Sequence, residues 1–396
     1  MIPTPDADTV ARLMAPVVRV TRRCEVLNSD GTMYNDDVQI VTGNVNCDAS
    51  RDERRTLDLT IVNADGTLYA GEGGLWYDKL IVPYRGIQWS GGSWEVPLGK
   101  FMIDSIEDVD KVRRRPRGTV NRIGPVAVPS PHDFANTLHI TGRDLTKKMI
   151  TETLDATLTY ASGTSLYAIA LAQIVNSGLT DYILPWTSSS VNPSPELSAD
   201  QTFDANTTRL DVLKQCIQAF GYEFFVDCFG TAIVQQTADP ATQTPVVTFG
   251  AGSDGNITNY KRMINDTELY NRVVVRGTGQ NNSTVFAVAE VTDTSSPIHK
   301  SRIGTRTFPF DSELVPDNDS AAALASTLLA VHALESYEVD LGAIVMPWLD
   351  VGVVVGFQDP APASAQEPIS FFLSTLDIPL NLGEMSPVAK RVLPLT

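Results

Sequence analysis

Residues 43–62 read GNVNCDASRDERRTLDLTIV, and the last seven of them decide how the chain is built. From Thr56 to Val62, Leu57, Leu59 and Ile61 fall on one side of an extended chain, and Thr56, Asp58 and Thr60 on the other. A period of two with one apolar face is the pattern of a half-buried β-strand. The same texture surrounds it, in VRVTRRCEVL (18–27), KLIVPYRGIQ (79–88) and VPLGKFMIDSIEDV (96–109). Asp30-Gly31, Asp65-Gly66 and Gly91-Gly92 mark turns, because glycine tolerates the positive φ of a tight reversal. No helix of useful length fits between Val18 and Val109, although PDADTVARLMAP before it suits a short helix capped by Asp6 or Asp8 and stopped by Pro16.

A second block, from about Ile257 to Thr396, has the same texture: ELYNRVVVRGTG (268–279), TVFAVAEVTD (284–293), YEVDLGAIV (337–345), DVGVVVGFQD (350–359) and FFLSTLDIPL (371–380). One helix interrupts it, over Ser320–Leu334, with Ser320 as N-cap and Leu324, Leu328 and Val331 as the buried stripe. Between the blocks the period changes to that of helices. Ser165–Ser177 ends at Gly178, and a helix starting at Asn206 or Thr207 carries Leu210, Leu213, Ile217 and Phe220 on one stripe before Gly221. Strand-like Tyr222–Asp227 and Thr231–Gln235 flank Cys228-Phe229-Gly230 as a hairpin. The fold class expected is mainly β with an α+β insert: two barrel-like β domains, 1–160 and 251–396, flanking a small helix-plus-hairpin domain over 161–250.

At 396 residues the chain is too long for one ordinary core. It carries 47 acidic and 30 basic residues, a net charge of −17, which disfavours generic nucleic-acid binding. Against that background, Lys111–Arg122 (KVRRRPRGTVNR) holds six basic residues and no acidic one, followed by Pro/Ser-rich sequence to Asp133. It reads as a long exposed loop over 111–133 that is either a solvated excursion or a contact arm for an acidic protein surface. Its candidate contact residues are Arg113, Arg114, Arg115 and Arg117.

The search for chemistry is largely negative. The four cysteines, Cys24, Cys47, Cys216 and Cys228, form no CxxC pair and read as buried free thiols. His132, His139, His299 and His332 include no pair at metal-ligand spacing, and neither a G-x-S-x-G elbow nor a P-loop occurs. Asp104, Glu107, Asp108 and Asp110 cluster at a strand end, but nothing in the sequence fixes the separation that two-carboxylate catalysis requires. Arg51-Asp52-Glu53-Arg54-Arg55 reads as an exposed ion-pair cluster. No catalytic residue, cofactor site or metal site is expected. No apolar run reaches the length of a membrane span, and the N-terminus lacks the pattern of a secretory signal.

With these segments laid out, the chain resembles the minor tail proteins of long-tailed actinobacterial phages, within the wider group of tail hubs, baseplate hubs and late-control D proteins. The resemblance lies in residues 43–68 with the paired Arg54-Arg55, in KLIVPYRGI (79–87), WEVPLGKFMIDSIE (94–107), LHITGRDLTKKM (138–149) and RLDVLKQCIQAFGYEFFVDCFGTAIV (209–234). NRVVVRGTG (271–279), the Ala-rich helix and VMPWLDVGVVVGFQD (345–359) resemble the second barrel of that group, though Val353 follows Gly352 where an Asp is common. The resemblance implies a structural protein of the virion tail tip, made in the host bacterial cytoplasm. It further implies a homotrimeric hub that joins the tail tube or distal tail protein to distal tip or fibre proteins and lets DNA pass without specific binding. Two other readings compete. One is a receptor- or carbohydrate-binding protein using Trp76, Tyr77, Trp89 and Trp94, which are more simply strand residues of the first barrel. The other is a peptidoglycan-cleaving tail enzyme, for which no separate lytic domain is expected after the second β block.

Overall fold

Alternating apolar residues produce 22 strands among the described residues of the computed structural model, together with six α-helices. The structure describes residues 5–13, 19–63, 68–109, 137–187, 194–252, 255–264, 269–278, 283–333, 337–359 and 368–392. The first part holds α1 (Ala7–Leu13), β1 (Arg19–Asn28), β2 (Met33–Val38), β3 (Ile40–Asp48), β4 (Arg55–Val62), β5 (Lys79–Trp89), β6 (Gly92–Pro97), β7 (Phe101–Val109) and β8 (Thr137–Asp144). The middle holds α2 (Thr146–Thr151), β9 (Leu158–Tyr160), α3 (Leu166–Asn176), β10 (Tyr182–Ile183), β11 (Gln201–Phe203), α4 (Arg209–Gln218), β12 (Tyr222–Val226) and β13 (Ala232–Gln236). The last part holds β14 (Thr248–Phe249), β15 (Ile257–Ile264), β16 (Arg272–Thr278), β17 (Thr284–Glu290), α5 (Lys300–Ile303), β18 (Thr307–Asp311), α6 (Asn318–His332), β19 (Tyr337–Ala343), β20 (Val354–Phe357), β21 (Ile369–Pro379) and β22 (Ser386–Arg391).

The first β block closes on itself through one bent run of chain. β2 and β3 are separated only by Gln39; β2 pairs with β1, β3 pairs with β4, and β4-β8-β7-β5-β1 completes the circuit. In β4 the inward residues are Arg55, Leu57, Leu59 and Ile61, as the period of two requires. The last block closes similarly. β14 pairs with β20, followed by β21, β22, β19 and β15. The Ile257 amide donates to Gly250 O (3.4 Å), and Tyr260 meets Phe357 at 5.8 Å between ring centroids, bringing β15 back towards β14 and β20. The two barrel-like bodies are fused rather than tethered. Residues 375–379 of β21 pair antiparallel with Asp48–Asn44 of β3, and one apolar core runs from Cys24 through Leu59 and Ile140 to Phe371 and Ala389.

A second core gathers α2, α3, α4 and α6, whereas α1 sets Leu13 into the first. β16, β17 and β18 do not join the barrel strands but form a three-stranded sheet of their own. This differs from the expectation that NRVVVRGTG and TVFAVAEVTD are barrel strands. The reason is α6, which packs on β16 and β17 and shares one core with α3 and α4. That helix is capped by Asp317, which accepts from the Ser320 amide (2.7 Å), so Ser320 lies inside the first turn. Its buried stripe is Ala321, Leu324, Ala325, Leu329 and Ala330, with Val331 turned partly outward. Thr208, accepting from the Asp211 amide, caps α4 in place of Asn206 or Thr207. Gly178 and Gly221, at φ 76° each, end α3 and α4 as the sequence requires. Asp6 caps α1 through the Thr9 amide (2.8 Å).

Candidate functional site

The Arg51–Arg55 run connects β3 to β4, and each of its five charges is paired with a different part of the fold. Arg51 pairs with Asp48 (3.2 Å), Asp52 with Lys214 of α4 (2.5 Å) and Glu53 with Arg143 of β8 (2.5 Å). Arg54 pairs with Glu223 of β12 (2.6 Å) and lies over the Phe225 ring at 4.0 Å. Arg55 pairs with Asp350, before β20, and donates to Val226 O (2.8 Å). Its own amide donates to Asp144 at the end of β8 (2.9 Å). Arg55 therefore touches the first barrel, the insert and the last block at once. The expectation of an exposed ion-pair cluster holds for Arg51 and Asp52 and is corrected for its last two residues: Arg54 is 9% and Arg55 2% exposed. The signal was present in the sequence, because Arg55 occupies the inward phase set by Leu57, Leu59 and Ile61.

Electrostatics accounts for why these groups stay put. Burial works against the Arg55 charge, yet the neighbouring carboxylates, Asp350 above all and Asp144 after it, hold its pKa above the ordinary guanidinium value. Burial pushes the Asp144 carboxyl upward despite hydrogen bonds from Thr146 and the Arg55 amide. Burial also pushes the thiols of Cys24, Cys47, Cys216 and Cys228 up to about 12, which makes them inert at neutral pH. Asp104 is claimed by Arg143 (2.9 Å) and Lys147 (2.6 Å) and so is an ion-pair partner, not a free acid.

His299 caps α5, accepting from the Ser301 amide (3.2 Å), and His332 stacks on Phe308 at 3.9 Å. His139 lies 3.8 Å from Asp58 and 3.4 Å from the Thr60 hydroxyl. Among the described residues no group of three or more His, Cys, Asp or Glu side chains is placed to hold a metal ion. No described helix is long and apolar enough to cross a membrane. Trp94 packs edge-on to Trp348 (6.0 Å) against the barrel core. Trp76 and Tyr77, by contrast, are 44% and 56% exposed in the connection before β5, so they are not the barrel-strand residues expected. Arg113, Arg114, Arg115 and Arg117, with the whole 111–133 segment and Asp110, lie outside the described residues.

No family model matches the chain, and no curated protein matches it either. Solved structures do. The chain is similar to a tail protein from Neisseria meningitidis MC58 (TM-score 0.58, 14% identity, 93% of this chain and 96% of that one). It is similar to the 43 kDa tail protein of prophage MuSo2 from Shewanella oneidensis (TM-score 0.56, 11% identity, 93% and 97%). It is also similar to prophage tail protein gp18 from Listeria monocytogenes EGD-e (TM-score 0.54, 9% identity, 93% and 94%). The chain has the fold of phage tail proteins. At these identities the likeness concerns the fold, and it extends over nearly the full length of each partner.

Proposed function

We propose that the protein is a structural component of a phage tail tip, a ring-forming hub that joins the tail tube to distal tip proteins and leaves a passage for DNA. The observation that carries this reading is the fusion of two barrel-like bodies through the β3–β21 pairing, in a chain that shares its fold end to end with three tail proteins. Two such bodies per chain, in a homotrimer, would present six similar elements to a sixfold tube and threefold symmetry on the opposite face. Closed rings are the usual outcome of repeated contacts between identical chains. A net charge of −17 per chain would line such a ring with a field that repels phosphate, so that DNA slides without binding. A non-enzymatic role fits the Arg51–Arg55 junction, where Asp52, Glu53, Glu223 and Asp350 are each paired with a cation. Mass measurement of the native particle tests the reading. Three chains of 43.0 kDa each in a ring with threefold symmetry are expected, and a monomer at all concentrations and with its neighbours present would refute it.

A second reading rests on the exposed aromatic connection. Trp76 and Tyr77 lie 4.9 Å apart, Tyr34 donates to Gly73 O (3.3 Å), and Lys79 lies 4.9 Å from the Tyr34 ring centroid. Exposed Trp and Tyr rings of this kind suit contact with a receptor or carbohydrate. Trp76→Ala should abolish attachment without disturbing particle assembly if this reading holds.

A further inference from the structure

The like-charged pair Arg22 and Arg85 has no place in the ion-pair network described above. The two are directly opposed in the register of β1 and β5, on the face that also carries Cys24, Val26, Ile81 and Ile87. Like charges directly opposed across strands repel. Arg22 is exposed, whereas Arg85 is only 3% exposed. In a chain with 47 acidic residues, neither has a carboxylate partner among the described residues. Arg85 donates one hydrogen bond, to the backbone oxygen of Asn381 (2.8 Å), in the turn between β21 and β22. Burial and the neighbouring Arg22 push its pKa down to about 10, so it remains charged at neutral pH. The next residue of that turn, Leu382, is 78% exposed.

A largely buried guanidinium with one protein hydrogen bond depends on the little solvent that reaches its other nitrogens, and a second cation opposite it adds to the cost. Arginines on directly opposed strand positions can reach the two oxygens of one carboxylate. We propose that Arg22 and Arg85 form a carboxylate-binding site, filled on assembly by an Asp or Glu side chain of a second copy of this chain, with Leu382 as the apolar contact beside it. The choice of a second copy follows from charge. Copies at −17 each repel one another on approach, and unneutralised arginines at the contact offset that repulsion while fixing its register. The identity of the occupant rests on the hub reading; the capacity to bind a carboxylate does not.

Thermal unfolding of the full chain, dispersed at low concentration and held at constant ionic strength, tests the site. Replacing chloride by acetate is expected to raise the midpoint of the wild type by about 2 °C more than that of Arg22→Gln. Arg22 is exposed, so this variant leaves the core intact; Arg85→Lys, which keeps the charge but loses the fork, is expected to lose most of the response. Equal acetate responses in wild type and Arg22→Gln, or a response to inorganic phosphate alone, would overturn the site. At concentrations where the chain associates, the acetate response of the wild type should disappear because the site is filled. An associated particle that still responds would overturn the second copy as occupant and leave the tail reading standing. A chain that never associates but responds when dispersed would refute the hub reading and keep the site.

Discussion

Arg55 is where the energetics of this protein are most concentrated. Removing one member of a buried ion pair leaves the other charged and unsolvated, at a cost of about 3–5 kcal/mol. Arg55→Met should therefore destabilise the chain by that amount in denaturant unfolding. Arg55→Met with Asp350→Leu should recover a large part of it, since the double variant removes the Asp350 charge together with its partner, and the backbone amides of residues 55 and 146 still bond Asp144. A double variant no more stable than the single one would mean that the Arg55 bond to Val226 O, not the pair with Asp350, carries the stability. Asp104 offers the complementary test in pH. Burial favours its neutral form, but Arg143 and Lys147 outweigh this and hold its carboxyl below the usual range. A carboxyl depressed by folding contributes stability above its unfolded pKa, near 4, and loses it as pH falls through the lower folded value. Stability measured from pH 6 down to pH 2 should accordingly fall less steeply in Asp104→Asn than in wild type.

Among the secondary-structure elements, the β5–β6 hairpin has the least tolerance. A Cβ at Gly86 would sit 1.9 Å from Trp94 O and 2.5 Å from the Glu95 Cα, both backbone atoms that cannot rotate away. Gly86→Ala should cost about 3 kcal/mol, at the upper end of ordinary overpacking, with the loss visible as a lower unfolding midpoint. A neutral outcome would mean that β6 can separate from β5 without affecting the barrel. Helix α6 shows how an element can change the company of its neighbours. Its apolar side covers β16 and β17 and commits them to the helical core.

For the whole molecule, the decisive contact is between chain segments more than 300 residues apart. β3 and β21 pair over five residues, and Asn44 donates to Asp377 across the seam (2.6 Å). This fixes the two barrel-like bodies against each other, as a hub built from both requires. The basic 111–133 segment belongs to this scale too, since six cations in twelve residues are best stabilised against an acidic protein surface. Its prolines would lower the ordering cost of such docking. Replacing Arg113, Arg114, Arg115 and Arg117 with Ser should impair particle assembly in a salt-sensitive way. Normal assembly at every ionic strength would reduce the segment to a solvated loop.

Local pattern by itself determined the strands β1, β3–β5, β7, β8, β16, β17 and β19–β21, the glycine-terminated helices α3 and α4, the hairpin at Cys228-Phe229-Gly230 and the mainly β class; β15, β18 and β22 were not legible in it. Each of these depends on residues within a few positions of one another, where period and turn chemistry act. The inward phase of Arg55 was equally legible, but its partners were not. Glu223, Asp350 and Asp144 are brought to the junction only by folding, and no spacing in the sequence encodes that convergence. The same holds for the separation of β16–β18 from the barrels and for the isolation of Arg22 and Arg85 from every carboxylate among the described residues. Tertiary structure decided these points because ion pairing and core membership depend on distance in space, which the chain sets only when β3 meets β21 and α6 covers its sheet.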